Sequence, residues 1–243
     1  MKRILVFSDI HANLTALEAV LTHAGKLDAA WCLGDLVGYG PDPNECVTRI
    51  RQLPNLICIL GNHDAAALQQ IDDETFNPEA RTAISWTRET ISEDTKAFLS
   101  SLPETSIQAQ VTLSHGSPRH PVWEYLLDTR TATLNFAYFT TSFCFVGHSH
   151  LPVIFHQADG DDFSRLIIPE AEKPLEMKDR IILNPGSVGQ PRDRDPRASY
   201  AIFEPDAKTW TLHRVPYDIP AVQMRMTEAG LPARHIQRLE AGW

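Results

Sequence analysis

The stretch RILVFSDIHANLTALEAVLTHAGKLDAAWCLGD, residues 3–35, contains two short apolar runs separated by an amphipathic segment. The runs RILVFSD and AAWCLGD are typical of buried β-strands. Between them, Asn13 can cap a helix, leucines at every third or fourth position form its apolar stripe, and Gly25 can end it. A strand, a helix and a strand in this order favour parallel pairing with a right-handed crossover. The stretch therefore predicts an α/β fold.

The same alternation continues outward from this unit. A helix is predicted in DPNECVTRIRQL and a third strand in NLICILGN, and helices are predicted over 77–102 and 131–141. The run IQAQVTLSHG, 107–116, predicts one strand. Several closely spaced strands over 142–215 predict a second, largely antiparallel portion of sheet. Two short amphipathic helices are expected at about 218–241, broken at Gly230. Because no internal repeat or linker is visible, we expect a single domain over residues 1–243.

Composition limits the classes of partner. The chain of 243 residues has a formal net charge of −9, so most of its surface repels nucleic-acid phosphates and an extensive nucleic-acid surface is not expected. No apolar run approaches the ~20 residues that cross a bilayer, so no membrane partner is expected. The N-terminal apolar run is too short for a signal peptide, which predicts a cytoplasmic protein. The C-terminal helices could pack on the chain's own core or on a neighbour, so an oligomer remains open.

The chain has four cysteines, and no two of them form a C-x-x-C pair. Most lie in apolar runs that predict strands, where a free cysteine behaves as a small buried hydrophobe. We therefore expect buried free thiols rather than a zinc knuckle or a disulfide. The cysteines are Cys32, Cys46, Cys58 and Cys144.

Polar clusters follow five of the predicted strands, each at the carboxyl end. In open α/β sheets this is where ligands bind. A single histidine at such a position is more often a loop or core residue, but five coincidences in one chain favour a functional site. The residues are Asp9, His11, Asp35, Asn62, His63, Asp64, His115, His148 and His150.

The last cluster, in FCFVGHSHLPV (residues 143–153), places His148 and His150 at alternate positions. Residues at i and i+2 of an extended chain point the same way, so both side chains can face one cavity and serve two ions side by side. Carboxylate, amide and imidazole donors suit Mn²⁺, Fe²⁺, Zn²⁺ or similar ions. Two ions ~3.5–4 Å apart form the clamp used in phosphoryl-transfer hydrolases.

Five motifs, SDIH, GDLVG, GNHD, LSHG and GHSH, occur in this order, each after a predicted strand. Together they resemble the calcineurin-like metallophosphoesterases over nearly the whole chain. LNPGSVGQPRD is similar to the NPGS turn of the small prokaryotic phosphodiesterase branch of that superfamily. The resemblance implies a metallophosphoesterase-type α/β sandwich of two mixed β-sheets, packed together and flanked by helices. One departure is Ala12, where glycine is usual; a positive φ there would cost energy.

The resemblance also implies a role for each motif residue. It implies two divalent metal ions, with Mn²⁺ the first expectation and Fe, Zn or Ni as alternatives, and a hydroxide bridging them as nucleophile. His63 is then the catalytic residue that faces the substrate, as general acid or as a hydrogen-bond donor, and Asp64 orients it. The implied ligands are Asp9, His11 and His150 for the first ion, Asn62, His115 and His148 for the second, and Asp35 as the bridge.

Three further residues are candidates for substrate contact. Arg192, in a mixed-charge loop with Arg194 and Arg197, could bind a second phosphate bidentately or be a solvated loop residue. Tyr39 could line the site or pack a turn. Ser187 belongs to the NPGS motif, where Pro-Gly marks a turn and a structural role is favoured over substrate contact.

The function implied is a metal-dependent phosphodiesterase with a small phosphodiester or other phosphate-containing substrate. A phosphomonoesterase or protein phosphatase is the nearest alternative. Relatives of that kind carry Asp-Arg-Gly after GD and read GNHE, whereas this chain has Val37-Gly38-Tyr39 and Asp64. A non-catalytic scaffold of the same fold is a third hypothesis, which the presence of His63 and every implied ligand disfavours.

Overall fold

The structure, a computed structural model, describes residues 2–243 and has twelve strands and eight α-helices in that range. The strands are β1 (Ile4–Phe7), β2 (Ala29–Cys32), β3 (Leu56–Cys58), β4 (Thr105–Gln108), β5 (Val111–Ser114), β6 (Phe143–Phe145), β7 (Pro152–Gln157), β8 (Arg165–Ile167), β9 (Leu175–Glu176), β10 (Arg180–Pro185), β11 (Ala198–Glu204) and β12 (Thr209–Val215). The helices are α1 (Leu14–Ala24), α2 (Pro43–Ile50), α3 (Asn62–Ala67), α4 (Pro78–Thr90), α5 (Glu93–Ser100), α6 (Thr129–Asn135), α7 (Ile219–Glu228) and α8 (Ala233–Ala241).

The strands form two six-stranded mixed sheets. The order in the first sheet is β3-β2-β1-β11-β12-β9, and in the second it is β4-β5-β6-β10-β7-β8. In the first sheet β1, β2 and β3 are parallel, whereas β11 pairs antiparallel with β1. In the second sheet β5, β6 and β10 are parallel. The carboxyl ends of both parallel sets carry the polar clusters of the sequence.

The two sheets pack face to face, and the alternation of side chains along each strand explains how. Ile4 and Val6 of β1 point into the apolar layer between the sheets, where Phe145 and Trp210 also lie. The intervening Leu5 and Phe7 point to the opposite face, which α1 and α2 cover. The predicted α/β sandwich of two mixed sheets flanked by helices is therefore confirmed.

One sequence prediction about the second sheet was wrong. The run 107–116, expected to be a single strand, contributes to a hairpin in which β4 and β5 pair antiparallel. The turn lies at Ala109, whose φ is 52°. Alanine rarely adopts this left-handed conformation, and the glycine or asparagine that usually marks such a turn is absent. The sequence therefore did not indicate the turn.

Helices α7 and α8 pack on the chain's own core. Val222, Met226 and Leu239 join an apolar cluster with Tyr39 and residues of α4. An ion pair between Arg225 and Asp42 attaches α7 to the start of α2. All four cysteines are free and buried, as expected. Over residues 2–243, no helix is long and apolar enough to cross a membrane.

Candidate metal centre

The carboxyl ends of the two parallel sets meet at one place. Asp9 and His11 lie in the loop after β1, and Asp35 follows β2. Asn62, His63 and Asp64 form the first turn of α3, which follows β3. His115 follows β5, and His148 and His150 follow β6. All of these side chains are buried, and those of the predicted ligands come from both sheets.

The backbone at these positions is unusual. Five of the seven predicted ligands have φ between 48° and 64°, in the left-handed region that non-glycine residues avoid. Ala12, the departure from the glycine usual in the family, also has a positive φ, of 50°. Each such residue costs on the order of 1–3 kcal/mol, and strain of this kind concentrates at functional sites. The five ligands are Asp9, His11, Asp35, His148 and His150.

The NPGS segment holds the strained loop after β1 in place. The Ser187 hydroxyl donates to the carbonyl of Asp9, and the Gly189 N–H donates to the same carbonyl. A Cβ at Gly189 would lie 1.8 Å from the Ile10 carbonyl oxygen, so only glycine fits there. Ser187 is fully buried and also accepts from the Gln190 N–H. The structure therefore places Ser187 behind the site as a support, and not where a substrate could contact it.

The first donor group consists of Asp9, His11, Asp35 and His150. His11 Nε2 lies 3.0 Å from His150 Nε2 and 3.6 Å from Asp35 Oδ2. His150 Nε2 lies 3.3 Å from Asp9 Oδ1. These four atoms converge on one point, with the geometry of a ligand set.

The second donor group consists of Asp35, His115 and His148, and Asn62 adjoins it. His115 Nε2 lies 3.3 Å from Asp35 Oδ2 and 3.0 Å from Asn62 Oδ1. Asp35 Oδ2 therefore belongs to both groups. One carboxylate oxygen shared by two donor groups is the arrangement that a bridging ligand needs.

The imidazole tautomers leave two acceptors of the first donor group in contact. Nδ1 of His11, His150 and His115 each face a backbone carbonyl, to which the nitrogen must donate its proton. In the neutral ring Nε2 is then unprotonated. The two Nε2 lone pairs of His11 and His150 therefore face each other at 3.0 Å. Acceptors in contact repel unless a cation lies between them.

Two carboxylate oxygens give the same indication. Asp9 Oδ1 and Asp35 Oδ2 are buried and accept no hydrogen bond within residues 2–243. A buried carboxylate oxygen without a hydrogen bond is unfavourable, and buried charges are normally paired or bound to a metal. The donor set of carboxylate, amide and imidazole fits divalent ions, and two such ions are accommodated if Asp35 is shared.

Burial sets the protonation of most of the histidines. It lowers the pKa of His11 and His150, which favours the neutral ring that a metal requires. Burial also opposes protonation of His115, but the negative charge of Asp35 outweighs it and raises the pKa of His115 to about 9. Without a cation His115 therefore carries a proton, and an ion binding there has to displace it.

His63 lies beside both donor groups without belonging to either. Its ring centroid is 4.8 Å from that of His11, 4.3 Å from that of Tyr39 and 5.0 Å from that of Phe76. Burial lowers the pKa of His63 to about 4, and its Nδ1 has no hydrogen-bond partner in the described chain. The ring is thus a neutral imidazole whose Nδ1 is free to form a hydrogen bond, and it lies against the predicted metal ligands.

Asp64 does not orient His63 as the sequence analysis expected. Its carboxylate accepts hydrogen bonds from four backbone N–H groups, those of Gly61, Asp35, Leu36 and Val37. The reason is geometric: His63 and Asp64 are consecutive on α3, and adjacent residues of a helix do not face each other. Asp64 instead fixes the loop after β2 to the start of α3, so it positions Asp35, the predicted bridge.

We expect Asp64→Ala to destabilise the protein by about 3 kcal/mol, because it leaves several buried N–H groups without an acceptor. For a chain of this size that corresponds to a Tm lower by about 6–12 °C. Thermal unfolding measures the shift, and Asp94→Ala is the matched control because Asp94 forms only an exposed ion pair with Arg51. Equal Tm values for the two variants would contradict the assigned role.

The remaining substrate candidates lie on one side of the cluster. Tyr39 is buried, with its ring centroid 4.6 Å from that of His11. The Arg192 guanidinium lies over the Tyr39 ring, and Nη2 contacts the Tyr39 hydroxyl at 3.5 Å. Arg197 is paired with Asp195 instead and takes no part. Tyr39 therefore separates Arg192 from the metal ligands by one aromatic ring.

The sequence analysis missed three residues around the centre. The Trp123 carbonyl accepts from His148 Nε2, which leaves Nδ1 of that ring for the cluster. The Gln190 carbonyl accepts from His150 Nδ1. Tyr125 stacks on His148 with centroids 3.8 Å apart and is 44% exposed, so it forms the outer wall. Two of these contacts use backbone carbonyls, which any residue could supply, so no sequence signal could have indicated them.

Comparison with known proteins gives matches along the whole chain. The model of the calcineurin-like phosphoesterase superfamily domain matches residues 1–208. The crystal structure of a metallophosphoesterase from Sphaerobacter thermophilus superposes with a TM-score of 0.91 and 49% identity, covering 100% of this chain and 99% of that one. An uncharacterized protein of Methanocaldococcus jannaschii is 39% identical and covered over 98% of both chains. A symmetrical bis(5'-nucleosyl)-tetraphosphatase of Pectobacterium carotovorum is 31% identical over 96 residues, 33% of this chain and 34% of the other.

Proposed function

The chain belongs to the calcineurin-like phosphoesterase superfamily, and from this we propose that it is a metal-dependent phosphodiesterase with a binuclear centre. The observation that carries the proposal is Asp35 Oδ2, one buried oxygen without a hydrogen bond that belongs to two donor groups. Asp9, His11 and His150 would hold one ion, and Asn62, His115 and His148 the other. Mn²⁺ is the first expectation for both.

Two divalent ions held there would supply hydroxide at neutral pH and stabilise charge on the phosphate oxygens as Lewis acids. The remaining functions of the site are performed by side chains of the protein. His63 stands beside the ligands as a neutral imidazole, so it can donate a hydrogen bond that stabilises charge developing on the leaving oxygen. Asp64 and Ser187 act further out, by fixing the backbone that carries Asp35 and Asp9.

A phosphodiester fits the charge of the site better than a phosphomonoester does. Against the four positive charges of two divalent ions, Asp9 and Asp35 would contribute two negative charges and a bound hydroxide one, which leaves one positive charge for a monoanion. The arginine that phosphatases of this superfamily carry is absent, since the chain continues from Val37 with Gly38 and Tyr39. A Cβ at Gly38 would lie 2.5 Å from His63 Nδ1, so the tight contact with His63 excludes a larger residue there.

A second candidate is cleavage of a phosphoanhydride. It is favoured by the match to the symmetrical bis(5'-nucleosyl)-tetraphosphatase, although that match covers 33% of the chain. The same residues serve both reactions, because each transfers a phosphoryl group to water. The two candidates differ in the leaving group, which is an alcohol in one and a phosphate in the other.

The test is hydrolysis by protein stripped of metal with a chelator and then titrated with Mn²⁺. We expect activity on bis(p-nitrophenyl) phosphate to appear with the metal, and kcat/KM to exceed that for p-nitrophenyl phosphate by about tenfold or more. A preference for the monoester would shift the assignment to a phosphomonoesterase. No hydrolysis of either ester or of diadenosine tetraphosphate at any metal loading would favour the scaffold hypothesis.

A further inference from the structure

Two arginines share one acceptor beside the metal centre. Arg192 follows the NPGS segment, and Arg238 lies on α8. Gln190 Oε1 accepts from Arg192 Nη2 at 2.8 Å and from Arg238 Nη1 at 3.3 Å. Two like charges are thus held against the same oxygen, which is unfavourable unless a negative group lies nearby.

Neither arginine has a carboxylate partner in the described chain. The acids of the neighbouring segments are engaged elsewhere: Asp195 pairs with Arg197, and Glu79 pairs with Arg234 on the outer side of α8. Burial, together with the charge of Arg192, lowers the pKa of Arg238. The pair therefore carries two positive charges without internal neutralisation.

Three N–H donors are left over at this place. Arg192 Nε, Arg238 Nε and Gln190 Nε2 are buried without a hydrogen-bond acceptor. A buried donor without a hydrogen bond reduces the stability of the fold, and in a native protein such donors usually bind a ligand or water. A surplus of N–H groups with two guanidinium charges is complementary to an anion with several oxygens.

We propose that Arg192, Arg238 and Gln190 form a pocket for a second phosphate group of the substrate. The inference rests on the proposed function, and it narrows the substrate class to phosphoesters or phosphoanhydrides that carry another phosphate close to the one attacked. Gln190 connects this pocket to the candidate metal centre, since its side chain contacts both arginines and its backbone carbonyl accepts a hydrogen bond from His150. Tyr39 lies between them, with its ring 4.6 Å from that of His11.

The position of Arg238 makes the pocket a feature of chains with this C-terminal helix. The superfamily model matches residues 1–208, so α8 lies beyond it. The superfamily's shared motifs supply the metal ligands, whereas this arginine comes from outside them. The second-phosphate pocket would therefore set substrate choice without altering the chemistry at the metals.

The direct test is calorimetric titration of metal-stripped protein with inorganic pyrophosphate. Without the ions, Asp9 and Asp35 repel pyrophosphate, so the arginine pocket is the place left to bind it. We expect Arg238→Gln to weaken binding about 10- to 100-fold, the effect of losing hydrogen bonds between charged groups. Arg234→Gln is the matched control, because it removes the same charge from an exposed position of α8 and should change the affinity less than about twofold.

Two outcomes would overturn the pocket: wild-type protein that does not bind pyrophosphate, or an Arg238→Gln variant that binds it as tightly as wild type. Because the titration uses no catalysis, its result is independent of the hydrolysis assay. If Arg238→Gln loses pyrophosphate binding but the wild-type protein hydrolyses no ester at any metal loading, the pocket is retained and the proposed function is rejected. Unchanged pyrophosphate binding in the variant, together with intact metal-dependent hydrolysis, would reject the pocket and retain the proposed function.

A kinetic readout complements the titration. With Mn²⁺ restored, we expect Arg238→Gln to lower the ratio of kcat/KM for diadenosine tetraphosphate to that for bis(p-nitrophenyl) phosphate by about tenfold or more. The ratio isolates the second phosphate, because only the first substrate carries one. A ratio equal to that of wild type would show that the arginine does not recognise the substrate.

Discussion

Replacing His63 with alanine is expected to lower kcat about 10²- to 10³-fold while both metal ions stay bound, the range typical of a lost hydrogen-bond donor to the transition state. The expectation follows from its position: the ring lies beside His11 but belongs to neither donor group. Metal content by atomic spectroscopy and hydrolysis of bis(p-nitrophenyl) phosphate, measured on the same preparation, separate the two effects.

The matched control for this variant is His156→Ala. His156 lies on β7 and pairs with Asp179, away from the centre, so its loss should leave kcat within about twofold of wild type. Full activity in His63→Ala would remove its catalytic role. Loss of a metal ion from that variant would instead make His63 a ligand.

Asp35→Asn is expected to weaken both metal ions together, by about 100-fold or more in affinity, since even residues that only support metal ligands contribute 10- to 100-fold. The change is nearly isosteric, and an amide oxygen can still accept from the His63 N–H as Asp35 Oδ1 does. What it removes is the negative charge on Oδ2, the atom common to both donor groups. Activity should fall with metal content and recover in part at high Mn²⁺.

Asp9→Asn provides the comparison. Asp9 belongs to the first donor group alone, so this variant should weaken one ion and leave the second near its wild-type affinity. Titration with Mn²⁺, followed by calorimetry, resolves one site from two. Retention of two tightly bound ions in Asp35→Asn would disprove the bridge, and identical losses in the two variants would show that the ions are not held separately.

The sequence predicted two mixed sheets, though not the hairpin of β4 and β5, and it picked out the polar side chains that the structure brings together, because each polar cluster directly follows an apolar run. Asp9 and His148 lie 139 residues apart, yet both could be assigned to one place from their positions after strands, and a hydrogen bond joins them. Parallel strands align their carboxyl ends, so the positions of the strands and their order in the sequence predict which distant residues come together.

What the sequence did not indicate depends on local geometry or on distant contacts. Three of the four N–H donors to Asp64 come from a loop 27–29 residues away. In the sequence, the carboxylate next to His63 suggested instead that Asp64 orients His63. Arg238 looks like any charged residue on an amphipathic helix until α8 is seen against Gln190. In both cases the residue type was visible and its partner was not.

The place of β11 in the first sheet has a consequence for the order of folding. β1 is synthesised well before β11, yet it is bordered by β2 on one side and by Ala198–Glu204 of β11 on the other. The loop that carries Asp9 is held by Ser187 and Gly189, which are also made late. No nascent chain that ends before these residues has a complete centre, and such contacts between distant parts of a chain form slowly. Under the proposed function, metal binding would therefore report that strands from distant parts of the sequence have come together.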